Sequence, residues 1–132
     1  MLDSTMNDDD MSDHLANPYH RGRLDNATHR ISQRNPACGD EVTLELRIEG
    51  NSVKEAWHNA KGCGLCKATT SAICQNIEGM LISDVLQLPE LWSLHLFGFT
   101  ISPGRRDCCF LPMQALRALL ANHANLPESQ SE

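Results

Sequence analysis

Val42, Leu44, Leu46 and Ile48 alternate with Glu41, Thr43, Glu45, Arg47 and Glu49, and no other stretch limits the possible folds so strongly. Successive side chains of a strand point to opposite faces, so this pattern describes a strand with one buried and one wet face. Gly50-Asn51 then turns the chain. So short a connection joins only antiparallel strands, which puts a return strand over Val53–Ala60. A looser strand is expected in residues 27–34, before the break at Asn35-Pro36.

After Gly62 the period becomes helical. Cys66–Ile77 is expected to form a helix with Ala68, Ala72, Ile73 and Ile77 on its inner side and Gly79 as its stop. Ser83 is placed to cap a short helix through Leu88, and Pro89 to open another over Glu90–His95. Residues 97–101 read as irregular or extended. Leu111, Ala115, Ala118 and Leu119 mark a last helix, with Pro112 in its first turn. A strand-rich first half followed by a helical second half predicts an α+β domain, with helices on one face of a small antiparallel sheet. The ends carry little apolar content. Residues 1–13, with Asp3, Asp8, Asp9 and Asp10, are expected to be a disordered acidic tail, and 124–132 a flexible one. A short helical turn from Asp13 to Asn17 stops before Pro18, and His14 and His20 are expected at the surface.

A length of 132 residues and 41% hydrophobic content suit one modest core. The net charge of −6 argues against a nucleic-acid partner, since neutralising phosphates needs clustered Lys and Arg, and Arg105-Arg106 is the one basic pair to consider. No apolar run reaches the ~18 residues of a membrane span, and the N-terminus lacks a secretion signal, so a cytoplasmic protein is expected. In a reducing compartment, six cysteines point to metal or thiol chemistry rather than to a disulfide scaffold.

Five of the six lie in three clusters at element ends: Cys38-Gly39-Asp40 before the best strand, Cys63 and Cys66 after the hairpin, and Cys108-Cys109 before the last helix. Cys63 and Cys108 each precede a predicted helix, where exposed N–H groups and the helix dipole favour thiolate over thiol. Three thiolates and a carboxylate can complete a tetrahedral zinc site, and a similar set can hold a small iron–sulfur cluster. Cys63-Gly64-Leu65-Cys66 also reads as a redox dithiol at a helix start, although a hairpin precedes it instead of a βαβ unit. Cys74, beside Ile73 and Ile77, is expected in the core. His58 reads as a packed strand residue.

Four ordered motifs resemble one family. Asn17-Pro18-Tyr19-His20-Arg21-Gly22, Asn35-Pro36-Ala37-Cys38-Gly39-Asp40, Gly62-Cys63-Gly64 with Ala68-Thr69-Thr70-Ser71, and Arg105-Arg106-Asp107-Cys108 with Leu111-Pro112 are similar to the NifU N-terminal-like iron–sulfur scaffold proteins of IscU and SufU type. The resemblance covers residues 14–121 and sits within a scaffold domain of 14–123. It implies a SufE/NifU-like fold, a three-stranded antiparallel sheet under helices. It further implies metal ligation by Cys38, Asp40, Cys63 and Cys108, with Cys66, Cys109 and Arg105 as accessory groups. By the same resemblance the chain is a scaffold and not an enzyme. A cysteine desulfurase supplies sulfur, a transient [2Fe-2S] cluster forms, and apo-proteins receive it; Zn2+ is the alternative occupant. A zinc-binding sulfur acceptor that never carries a cluster is the second reading, and a dithiol oxidoreductase using Cys63 and Cys66 the third. Asp107 stands where IscU-type relatives often have His, and Ile101-Ser102-Pro103-Gly104-Arg105 replaces their chaperone-docking motif.

Overall fold

A computed structural model describes residues 8–36, 39–97 and 101–124. Strand β2 is Glu41–Glu49, the stretch that the alternation marks out, and β3, Ser52–Lys61, returns beside it. The loop between them turns on Gly50 at φ +61, a left-handed conformation that the first position of so tight a loop needs and that glycine adopts without a Cβ clash. β1, His29–Arg34, pairs with the other edge of β2, giving an antiparallel sheet in the order β1-β2-β3.

The register sets Val42 opposite Ala60, Leu44 opposite His58 and Leu46 opposite Ala56, and all six side chains are buried. Helix α2, Gly64–Ile77, lies against β3, and α4, Arg106–Ala124, against β1 and β2. Ala68, Ala72, Ile73 and Ile77 of α2 face inward as their spacing predicts, meeting Met113, Leu116 and Leu120 of α4 in the core. Each such Leu or Ile contributes about 1.5–3 kcal/mol through burial. Helix α1, Asp8–Ala16, packs on α2, and the short α3, Ile82–Leu86, follows it. The α+β expectation therefore holds. On the opposite face of the sheet Glu45 is buried beneath the segment around Leu24, whose N–H donates to Oε1 at 2.9 Å. No helix among the described residues is long and apolar enough to cross a membrane.

Several local expectations need correction. The helix α1 begins at Asp8, inside the stretch expected as a disordered tail over 1–13. Met11 and His14, one turn apart, give that segment a side to bury that composition undervalues, and His14 Nδ1 lies 2.6 Å from Ser71 Oγ. His14 is thus buried, not at the surface, while 1–7 and 125–132 lie outside the described residues. His20 is half-buried: its ring stacks on Trp57 with centroids 4.5 Å apart, and Nδ1 meets Glu78 Oε2 at 2.7 Å. Ser83 caps nothing, because α3 starts at Ile82 with Leu81 in the capping position. Glu90–His95 forms a 3-10 segment. The last helix starts at Arg106, so Cys108 and Cys109 sit in its first turn and Pro112 lies inside it. A proline there has no N–H to offer, which deprives the Cys108 carbonyl of its usual helical donor.

Candidate metal centre

Asp40 stands immediately before β2, at the end of a closed loop. The Asn35 N–H donates to the Asp40 carbonyl at 2.9 Å, and the Gly39 N–H to the Asn35 carbonyl at 2.8 Å. The Asp40 side chain is 2% exposed, and its Oδ1 accepts the Cys63 N–H at 3.0 Å. Gly62 makes this approach possible. A Cβ at Gly62, whose φ is +123, would lie within 2.8 Å of Asp40 Cγ and closer still to Oδ1. None of the ion pairs among the described residues involves Asp40. Burying a carboxylate is costly unless a counter-charge accompanies it, so this group is chemically suited to a bound cation.

Cys63 is the N-cap of α2, with Sγ accepting the Cys66 N–H at 3.4 Å, as a capping side chain does. Its Sγ lies 3.1 Å from Cys108 Sγ and 3.6 Å from Asp40 Oδ2. Both cysteines are free, since a disulfide would need about 2.05 Å. Ligand atoms of Asp40, Cys63 and Cys108 all fall within 4.8 Å of one another. The strand entry, the β3-to-α2 turn and the first turn of α4 thus deliver one donor each. Burial, then contact with Cys63, pushes the Cys108 thiol up to about 12, with Arg105 pulling the other way. Arg105, in the 3-10 turn Pro103–Arg105, hydrogen-bonds Cys63 and Cys108, which hold its guanidinium above its ordinary value.

Two sulfurs and a carboxylate oxygen suit a borderline-soft ion such as zinc or iron, and three protein donors leave a fourth position to fill. Cys38 is two residues before Asp40 in sequence and lies outside the described residues. The remaining thiols stand apart from the donor cluster. Cys66, Cys74 and Cys109 are all 0% exposed. Burial pushes each of them up, Asp40 and Cys63 adding to the effect at Cys66, and Cys109 Sγ accepts a hydrogen bond from Thr69 Oγ1 at 3.6 Å. Gly62 is the functional position that spacing does not reveal. Its signal in the sequence is only that a glycine separates the end of a strand from Cys63.

The family model described as NifU-like N terminal domain matches residues 6–128. Among curated proteins, the chain is 32% identical over 81 residues to the zinc-dependent sulfurtransferase SufU of Bacillus subtilis, covering 61% of this chain and 54% of that protein. It is 37% identical over 70 residues to the iron-sulfur cluster assembly scaffold protein IscU of Thermotoga maritima, covering 53% and 49%. The matched part therefore spans about half the length of these two relatives. Among solved structures, the putative SUF-system scaffold from Fervidobacterium islandicum superposes with a TM-score of 0.70 at 22% identity, covering 84% of this chain and 93% of that one. The N-terminal NifU-like protein of Brucella abortus gives 0.69 at 17%, covering 85% and 90%. These two likenesses concern the fold. Together with the match along nearly the whole chain, they mean that this protein belongs to the NifU-like N terminal domain family.

Proposed function

We propose that this chain is a scaffold for iron–sulfur cluster assembly. In this reading it accepts sulfur from a cysteine desulfurase, builds a [2Fe-2S] cluster at Asp40, Cys63 and Cys108 with Cys38 as the fourth ligand, and passes the cluster to apo-proteins. The observation that carries the reading is the convergence of two free thiols on a buried carboxylate that has no ion-pair partner among the described residues. Cys63 is half-buried while Asp40 and Cys108 are buried, so Cys63 is the sulfur nearest to an incoming partner. Its thiolate would attack the terminal sulfur of the donor persulfide; the donor S–S bond breaks, the donor leaves as a thiolate, and the new S–S bond remains on Cys63. Asp40 is a harder donor than the thiolates and holds soft metals less firmly, which suits a centre whose cargo must leave. Arg105, on both sulfurs, helps to hold negative charge there. Five free cysteines require a reducing compartment, and we assign the protein to the cytoplasm.

The test is anaerobic reconstitution with iron, cysteine and a desulfurase. Thiolate-to-iron charge-transfer absorption should appear, and it should vanish in Cys63→Ala and Cys108→Ala. Absorption that persists in both variants contradicts the assignment. A second reading, a zinc-binding sulfur acceptor, is favoured by the name of the Bacillus subtilis relative. Stable zinc with no cluster transfer to an apo-ferredoxin would select it.

A further inference from the structure

A cavity of about 170 Å3 lies between β3, α1 and the first turns of α2, with His14, Leu15, Arg21, His58, Gly64 and Lys67 in its wall. Asp40, Cys63 and Cys108 do not line it, so it is distinct from the metal centre. At about 30 Å3 per water it has room for five or six waters. That is too small for a nucleotide-sized cofactor and ample for a small ion.

Its polar equipment is lopsided. His58 is 2% exposed, and its Nε2 lies 2.9 Å from the Tyr19 carbonyl, which can only accept, so Nε2 carries the hydrogen. Nδ1 is then a bare acceptor, buried and without a hydrogen-bond partner. Burial, with the positive charge of Arg21 and the nearby His14 and His20, pushes His58 down to about 4, and it is unprotonated at neutral pH. The groups facing it are His14 from α1, Arg21 and His20 from the segment after α1, and Lys67 from α2, while no Asp or Glu lines the wall. Arg21 and Lys67 are exposed cations at the rim. The first turn of α2, which begins at Gly64, adds the positive end of a helix dipole.

We propose that this cavity binds a small oxyanion together with one proton, the anion facing Arg21 and Lys67 and the proton lying between it and His58 Nδ1. An anion neutralises the positive wall, and the proton gives the orphaned nitrogen the partner it lacks. The proton comes from the anion itself where it bears a hydroxyl, as hydrogen phosphate does, and from solvent where it bears none, as with acetate. In the second case binding takes one proton from the medium onto His58.

The experiment titrates the full chain with inorganic phosphate and, separately, with acetate at constant ionic strength, following the His58 ring by NMR. Saturation by either anion, with the His58 midpoint moving up from about 4, supports the proposal; phosphate alone saturating identifies a ligand that brings its own hydroxyl. Arg21→Gln and Lys67→Gln, both at exposed positions, should each weaken binding about tenfold. His58→Phe should abolish it. A His58 signal unmoved by about 50 mM of either anion, which excludes binding tighter than that, overturns the proposal. So does an affinity indifferent to both rim variants, whether or not His58→Phe folds.

Discussion

Cys63 and Cys66 are three residues apart, and Cys108 and Cys109 are neighbours, yet each pair is divided between two environments. Cys63, outside the helix as its cap, and Cys108 turn toward Asp40. Cys66 and Cys109, inside their helices, are wholly buried among apolar side chains. The division is one of helical phase. Consecutive helix residues diverge by about 100°, so Cys108 can reach the strand-entry loop while Cys109 points to Thr69 of α2. Proximity in sequence thus says little about shared chemistry, and a charged neighbour says a great deal. For the same reason Cys108, rather than Cys66, is the sulfur beside Cys63, at 3.1 Å, which weakens the reading of Cys63 and Cys66 as a redox dithiol.

The sharpest way to break this comparison is to exchange the two classes of thiol. Cys63→Ala, Cys108→Ala or Asp40→Ala should lower zinc affinity about 1,000-fold, since a structural zinc ion is worth roughly 10–16 kcal/mol spread over four ligands. Cys66→Ala, Cys74→Ala and Cys109→Ala should leave it within about threefold. Competition with a chromophoric chelator measures both sets, and equal losses in the two would erase the distinction. Next in size is reactivity. In metal-free protein Cys63 should be alkylated about 100-fold faster than Cys66, Cys74 or Cys109, which react only through local opening, and peptide mapping of a timed iodoacetamide reaction reads this directly.

Gly62→Ala leaves every donor in place but pushes on Asp40. Metal affinity should fall about 10- to 100-fold, the usual scale for a group that positions a ligand, with little loss in the apo melting curve. The smallest effect belongs to the core. Cys74→Ser buries a hydroxyl in an apolar setting and should cost about 1–3 kcal/mol in denaturant unfolding, whereas zinc affinity stays unchanged. Were Cys74→Ser to weaken zinc instead, the inner thiols would have to be counted with the centre.

Much of this was legible before any coordinates. The alternation in β2 fixes its faces, and a two-residue Gly50-Asn51 connection fixes the hairpin. The inward set of α2 follows from spacing alone. In the candidate centre, Asp40, Cys63 and Cys108 were nameable from motifs, but their meeting within 4.8 Å is a property of the fold. What stayed hidden depends on tertiary partners. His14 gains its burial from Ser71, and His20 its cover from Trp57 and Glu78. The start of α4 at Arg106 runs against the local rule that proline opens a helix, and Pro112 is carried inside by the packing of Met113, Leu116 and Leu120. His58 was readable as a packed residue, whereas the orphaned Nδ1 was not.

X-ray absorption at the zinc edge of the loaded chain tests the central claim most directly. Sulfur scatterers at about 2.3 Å, two or more in number, together with an oxygen at about 2.0 Å that disappears in Asp40→Ala, are predicted. A first shell made only of nitrogen and oxygen, or one indifferent to Asp40→Ala, Cys63→Ala and Cys108→Ala, would contradict it.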